Sequence, residues 1–384
     1  MKQKPYILWL GGVYNERAIG LNSALSPAAT RWQGQLTSAL VKRNMPVVLL
    51  SHVPARLWPL GALFPGKLGD LDPDSSTVLS RYCNLPIIRG RSLSRSFKRK
   101  IGEICLLRGN PCVIISYNPT LENVEAGSFS QRRWNIPWVD LCADSYHPGD
   151  GWLKYPGRAK EAKGHVFLSR YAYESCPWKR KLHLDGGIRS VGGPNEDNGC
   201  VGGKRGILYS GSMSKWGGVE FLLEAFQRVG GSDIELWLCG EAPNAAVLDA
   251  AGRDKRIKCF GLLSESHLDE LYRSASIFVN PRPSGLDGNS MNFPSKLLRY
   301  LGYGKPIVST WTLGLSEDYR HVLMVPERET AECLATTIRQ ALALSPLERL
   351  HIREKIAGFA SSGRTWESVA GRLLHWIETE IVAE

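Results

Sequence analysis

The chain has 384 residues, 43% of them hydrophobic and 22% charged, with 48 Lys and Arg against 37 Asp and Glu for a net charge of +11. That is the make-up of a globular protein with room for two domains of roughly 150–200 residues each. No apolar run approaches the roughly eighteen residues of a membrane-spanning helix, which excludes a helical membrane span.

The N-terminal YILWLGG reads as a strand closed by a glycine turn, and not as a signal peptide, because Asn, Glu and Arg follow with no small-residue cleavage site. Residues 27–42 have helical periodicity with Pro27 in the first turn, and VVLLSH is the second strand. A Trp-, Pro- and Gly-rich loop is expected from about 53 to 79. LPIIRG then reads as a strand, SLSRSFKRKIGEICLLRG as a helix and CVIISY as a strand. A helix near 121–134, the strand WVDLCAD and the strand-to-helix segment HVFLSRYAYESC complete the first half. Strands alternating with helices predict a doubly wound parallel sheet. A glycine-rich stretch over about 186–205 reads as a hinge. The rhythm then restarts with GILYSGS, VEFLLEAFQRV, ELWLCGE, a helix near 244–252, KCFGLL, HLDELYRSA and IFVNP. TAECLATTIRQALALS and the amphipathic TWESVAGRLLHWIETEI are the last helices.

Charge is uneven along the chain. Residues 1–190 hold 27 basic and 13 acidic side chains, a balance of +14, and residues 191–384 hold 21 and 24, a balance of −3. The first half is therefore expected to meet something anionic. Nine scattered Cys with no C-x-x-C read as buried reduced thiols, and no Cys–His spacing suits a metal.

The densest signal is residues 280–310, NPRPSGLDGNSMNFPSKLLRYLGYGKPIVST. A strand ends at two prolines, a loop carries Gly285 and Gly288, and Ser295 and Lys296 open a helix. Gly304, Lys305 and Pro306 then turn the chain into the next strand. Helix-start N–H groups with Lys296 and Arg282 beside them suit a phosphate or diphosphate.

This segment resembles the nucleotide-sugar-binding part of GT-B glycosyltransferases, and most of all the GT4-type enzymes that build polysaccharides and glycoconjugates. The resemblance rests on Pro-Arg-Pro, Phe-Pro-Ser-Lys, Leu-Leu-x-Tyr-Leu, Gly-Lys-Pro and Val-Ser-Thr in that order. It covers the second half well and the first half loosely. It implies two Rossmann-like α/β domains whose parallel sheets face each other across a cleft. Residues 1–190 would form the acceptor domain, 191–363 the nucleotide-sugar donor domain, and 364–384 a helix crossing back to the first. It also implies transfer from a UDP-, GDP- or TDP-sugar to a hydroxyl of a glycan or lipid-linked acceptor, with retention and without a separate cofactor, in the cytoplasm or at the inner membrane face.

Under that resemblance the donor phosphates meet Arg282, Ser295 and Lys296. They also meet Gly12 after the first strand, and Ser212 and Lys215 in YSGSMSKWGG. Relatives carry Arg and Lys where this chain has Ser212 and Gly217, with Lys215 displaced by two residues. Gly240, Phe260, Gly261 and Asn292 would line the nucleobase and ribose pocket. Arg299 and Met291 stand where many retaining relatives have Glu. Arg299 has no acceptor atom for a ribose hydroxyl, so Asn289, Ser290 and Asn292 become candidates. Asp144 matches an acidic position of relatives, and with His147 it is the candidate catalytic pair.

The helix Ser92–Arg108 pairs an apolar stripe (Leu93, Phe97, Ile101, Ile104, Cys105) with a basic face. That combination fits either peripheral contact with an anionic membrane or packing on its own sheet. Three other readings compete: a GT-B-fold epimerase or phosphorylase, a non-catalytic nucleotide-sugar-binding member, and a nucleic-acid-binding protein. The last lacks any RNA- or DNA-binding motif, so no nucleic-acid partner is expected.

Overall fold

The computed structural model describes residues 4–14, 25–65, 77–144, 146–147, 151–152, 156–189, 191, 200–201, 203–240, 243–286 and 288–383. By its internal contacts the chain divides into two units, Met1–Gly186 with Trp366–Glu384, and Gly187–Thr365. Half of the glycine-rich stretch read as a hinge lies outside the described residues.

The first unit is built on seven strands: β1 (Ile7–Leu10), β2 (Val47–His52), β3 (Thr77–Ser80), β4 (Val113–Tyr117), β5 (Trp138–Cys142), β8 (Gly164–Phe167) and β9 (Lys181–His183). They lie in the order β3-β2-β1-β4-β5-β8-β9, and every pairing is parallel. A two-residue ribbon of β6 (Tyr146–His147) and β7 (Gly151–Trp152) stands apart. Val, Ile and Leu crowd the central strands because helices cover such a sheet on both faces. These helices are α1 (Pro27–Lys42), α2 (Arg89–Arg108), α3 (Leu121–Trp134) and the short α4 (Arg170–Ser175). Pro27 at the first turn and the Ser26 hydroxyl, which accepts from Ala29 N, start α1.

Two expectations fail here. LPIIRG is not a strand. Its Ile87 and Ile88 are exposed in a turn that leads into α2. The strand beside β2 is Thr77–Ser80, inside the stretch expected to be loop, and pairs residue for residue from Leu49↔Thr77 to His52↔Ser80. A Pro cannot donate to a ladder, so an apolar run containing Pro86 is a poor candidate for a paired strand. The apolar stripe of α2 is also spoken for. Leu93, Phe97, Ile101 and Ile104 are buried with Leu8, Leu50 and Ile114 in the unit's core, so the stripe covers the sheet and offers nothing to a membrane.

The second unit repeats the plan. β11 (Lys204–Ser210), β12 (Ile234–Cys239), β13 (Ile257–Gly261), β14 (Ile277–Asn280) and β15 (Ile307–Ser309) form a parallel sheet in the order β13-β12-β11-β14-β15, and the two residues of β10 (Cys200–Val201) add antiparallel to β11. Around it stand α5 (Val219–Phe226), α6 (Ala245–Arg253), α7 (Glu265–Ser274), α8 (Lys296–Leu301) and α9 (Ala331–Ala343). A further helix, α10 (Pro346–Ser361), was not expected. Its signal was present all the same: Ser345 and Glu348 form a reciprocal capping box ahead of Pro346 at the first turn. The terminal helix α11 (Trp366–Trp376) packs within the first unit. Trp366 meets Trp32 edge-on at 5.7 Å, and the π-helical turns Ile377–Val382 that follow bury Ile377 and Ile381.

Candidate functional site

In both sheets the strand order reverses beside the first strand of the unit, between β1 and β4 and between β11 and β14. Ligands of open parallel sheets bind outside the carboxyl ends of the strands at such a reversal. In the second unit that point is built by glycine. A Cβ on Gly240 would lie 1.9 Å from the carbonyl oxygen of Gly211, and a Cβ on Gly211 would lie 2.7 Å from Lys296 Nζ. The ends of β11 and β12 can therefore touch, and the lysine head fits against bare backbone. Tyr300 of α8 anchors the same point from below, its buried hydroxyl accepting from Ser210 N at 3.0 Å.

Lys296 is the electrostatic centre. Its Nζ sits 4.1 Å from the Tyr209 ring centroid, and among the described residues no carboxylate reaches it. Burial, and then the Arg282 guanidinium, push its pKa down to about 7. A cation held without a counter-ion costs free energy that an incoming anion returns. Arg282 is fixed beside it: Nε donates to Asn289 Oδ1 at 2.6 Å, and buried Asn289 donates to the Trp216 carbonyl at 2.9 Å. That chain of bonds ties Pro281–Asn289 to the loop after β11. In the same loop the Tyr209 hydroxyl donates to the Ser212 carbonyl at 2.5 Å. Lys215 is exposed over the Trp216 ring at 5.1 Å. The structure thus brings Arg282, Lys296, Ser212 and Lys215 into one linked set of loops. Ser295 directly precedes α8, but that helix is only six residues long, and Leu297 N and Leu298 N bond back to the Pro294 and Ser295 carbonyls. The attraction for an anion comes from the two cations more than from a helix dipole. Asn289 takes a bracing role, away from the one expected for it.

Gly240 N donates to the Gly261 carbonyl, which aligns the ends of β12 and β13. Phe260 is 40% exposed, edge-on to Trp237. The Asn292 carbonyl accepts from Thr312, so this residue braces the loop after β15. Arg299 turns to α7. Its guanidinium pairs with Glu265 at 3.0 Å and lies 4.6 Å over the Tyr272 ring. Arg299 is 12% exposed and Glu265 40%, so the cation depends on the carboxylate more than the reverse. Glu265→Ala should therefore cost about 1–2 kcal/mol of stability. Glu265→Ala with Arg299→Met should recover most of that in urea denaturation, whereas equal losses in the single and double variants would refute the dependence.

In the first unit, Gly12 is clamped. Gln33 Oε1 accepts from Gly12 N at 3.1 Å and from Trp9 Nε1 at 2.9 Å, and Gln33 Nε2 donates to the Gly12 carbonyl. The Gly12 N–H is thus already committed. Asp144 is exposed and oriented by Asn118, whose Nδ2 donates to Asp144 Oδ2 at 2.9 Å while its Oδ1 accepts from Ala143 N and Asp144 N. The side chain of His147, like residues 148–150, lies outside the described residues. Gln33 and Asn118 were missed in the sequence because each looks like an ordinary polar residue of a helix or loop. Asn118 betrays itself only by its left-handed backbone, φ 64°. Among the described residues no group of three His, Cys, Asp or Glu could hold a metal ion, and no helix is long and apolar enough to cross a membrane.

Residues 204–343 match the family model described as Glycosyl transferases group 1. No curated protein matches the chain in sequence. Among solved structures, the sucrose-phosphate synthase of Thermosynechococcus elongatus superposes with TM-score 0.71 at 14% identity, over 97% of this chain and 98% of that one. A glycosyltransferase from Rickettsia africae gives TM-score 0.68 at 14% identity, over 98% of each chain. Anabaena HepE in complex with UDP and glucose gives 0.67 at 12%, over 98% of this chain and all of that one. These likenesses establish the GT-B fold, two Rossmann-like α/β units on parallel sheets.

Proposed function

We propose that this chain is a glycosyltransferase that moves a sugar from a nucleoside-diphosphate sugar to a hydroxyl of a glycan, glycolipid or other glycoconjugate acceptor, with retention at the anomeric carbon. The observation that carries the reading is the half-buried Lys296, without a carboxylate and beside Arg282, inside the segment that matches the glycosyltransferase family model.

When the bond between the anomeric carbon and the diphosphate oxygen breaks, negative charge gathers on the leaving diphosphate. Fixed cations aimed there stabilise the transition state more than the bound donor. Lys296 and Arg282 are assigned that role, with Ser212, Lys215 and Ser295 around them. The Glu265 carboxylate, four residues beyond Gly261, is assigned the ribose hydroxyls that Arg299 cannot accept from, and Phe260 the face of the base. Asp144, held by Asn118, is the assigned acceptor-side carboxylate, and a retaining reaction asks it only to position the acceptor hydroxyl. The nucleotide sugar is the substrate and no separate cofactor is invoked. The structure of HepE with UDP and glucose makes UDP the first nucleotide to try. The proposed setting is the cytoplasm, at the inner face of the membrane.

A thermal-shift series with UDP, GDP, TDP and CMP tests the reading. One diphosphate should raise the melting temperature by several degrees, since ligand at about a hundred times its Kd adds roughly 2.7 kcal/mol. A flat response to all four, and to their sugar conjugates, would overturn it.

A further inference from the structure

The loop between β2 and β3 exposes large apolar side chains that the core does not use. Leu57 is 43% exposed, Trp58 46%, Leu60 81% and Phe64 67%, and Ile87 in the adjoining turn is 91% exposed, with Ile88 beside it. This is a braced surface. Asn84 is fully buried; its Nδ2 donates to the Arg56 and Ala62 carbonyls at 2.7 and 2.9 Å, and its backbone N to the Leu63 carbonyl at 2.7 Å. Trp58 N in turn donates to the Asn84 carbonyl. One buried side chain thus holds 56–63 against 84–88.

The rim is mainly basic. Residues 81–100 hold seven Lys and Arg and no acid, and residues 53–65 hold Arg56 and no acid. Arg56, Arg81, Arg91 and Arg95 are exposed, and among the described residues none of them forms an ion pair. Clustered exposed apolar groups mark an interaction site. Trp, Phe, Leu and Ile at the tip with guanidinium groups around them match the boundary between acyl chains and anionic headgroups. Behind the rim, Glu125 of α3 is taken up by Lys98 and Ser94, which leaves the exposed guanidinium groups of Arg56, Arg81, Arg91 and Arg95 to set the sign of this surface among the described residues.

We propose that Leu57–Phe64 with Ile87 and Ile88 seats the protein on an anionic lipid bilayer, with Arg56, Arg81, Arg91 and Arg95 on the lipid phosphates. The full-length protein should co-sediment with phosphatidylcholine vesicles containing about a third phosphatidylglycerol, lose that at ~0.5 M salt, and ignore pure phosphatidylcholine. Trp58→Ser with Phe64→Ser, and separately Arg81→Gln with Arg91→Gln and Arg95→Gln, should each weaken binding roughly tenfold or more. Neither set should change the melting temperature or its response to nucleotide. Brominated lipid should quench part of the wild-type fluorescence, and Trp58→Phe should remove that part. No binding to anionic vesicles, equal binding to neutral ones, or binding unmoved by both sets would overturn the proposal. So would self-association that the Ser variants abolish without any lipid binding. Vesicle binding by a protein indifferent to every nucleotide would leave this surface standing and fail the transfer reading alone.

Discussion

Lys296→Met should make the free protein more stable near pH 6 and blind to nucleoside diphosphate. Both results follow from one geometry. The lysine head is packed on the Tyr209 ring against Gly211, without a carboxylate, and its pKa is down to about 7. The native state therefore binds fewer protons than the unfolded one between about 7 and the ordinary lysine value of 10.5. Stability rises with pH through that window, and the full penalty is present below about 7. A shift of this size corresponds to a few kcal/mol. Met keeps the stem and removes the charge, so calorimetry at pH 6 should find a higher melting temperature, with the gain fading towards pH 10. A bound diphosphate reverses the balance by returning the proton. Titration calorimetry in buffers of different ionisation enthalpy should find uptake of up to one proton near pH 8, absent in the variant. Turnover should fall by about 10²–10³, as when one fixed donor to a developing anion is removed. A variant less stable at pH 6 that still binds nucleotide would make Lys296 a packing residue and remove the observation on which the proposed function rests.

The donor half was legible because its signals are local. Prolines end a strand, glycines mark close approach, and Lys296 opens a helix one turn before Tyr300, so a single window of sequence carries the arrangement. The roles that escaped depend on partners far along the chain. Arg299 reads as a substitution in a ribose site, and only the fold reveals Glu265, 34 residues earlier, as its counter-ion. Gln33 reaches Gly12 and Trp9 across 21 and 24 residues, a contact no spacing rule anticipates. The misplaced edge strand has a different cause. LPII is more hydrophobic than TVLS and equally rich in β-branched residues, but its proline has no N–H to give to a ladder. The α2 stripe was ambiguous because a helix that covers a sheet and a helix that lies on a membrane share one pattern, and the neighbours of Leu93 and Phe97 decide between them.

Asp140→Asn is the variant expected to stabilise the first unit most in alkaline solution. Asp140 sits in the middle of the seven-stranded sheet, 1% exposed, taking one bond from Ser116 Oγ at 2.9 Å and leaving Oδ2 without a partner. Burial drives its pKa up to about 7, and the Ser116 bond only partly opposes this. Its cross-strand neighbour is no counter-ion. His165, in register on β8 and stacked on Trp178 at 3.9 Å, is held neutral by burial with its pKa down to about 4. The native carboxyl thus keeps a proton that the unfolded chain releases above about 4, so stability falls as pH rises from about 4 to about 7 and the loss is complete above that. His165 acts on the other side, because folding must discharge a group that the unfolded chain protonates below about 6.5, so stability also falls as pH drops from there towards 4. The two windows overlap between about 4 and 6.5, where the opposing slopes nearly cancel, so the pair leaves stability almost flat there and falling gently above, where Asp140 still titrates. Asn keeps the acceptor for Ser116 and fills the same space, so it should roughly match wild type near pH 3.5 and exceed it by about 2–4 kcal/mol at pH 8.5. That is a rise of roughly 2–4 °C in the first unit's melting temperature for each kcal/mol. The acid limb set by His165 should then emerge between about 4 and 6.5, no longer offset by Asp140. A variant whose advantage is the same at pH 5 and pH 8.5 would mean that the carboxyl is charged and solvated in the native sheet, against the burial on which the argument stands.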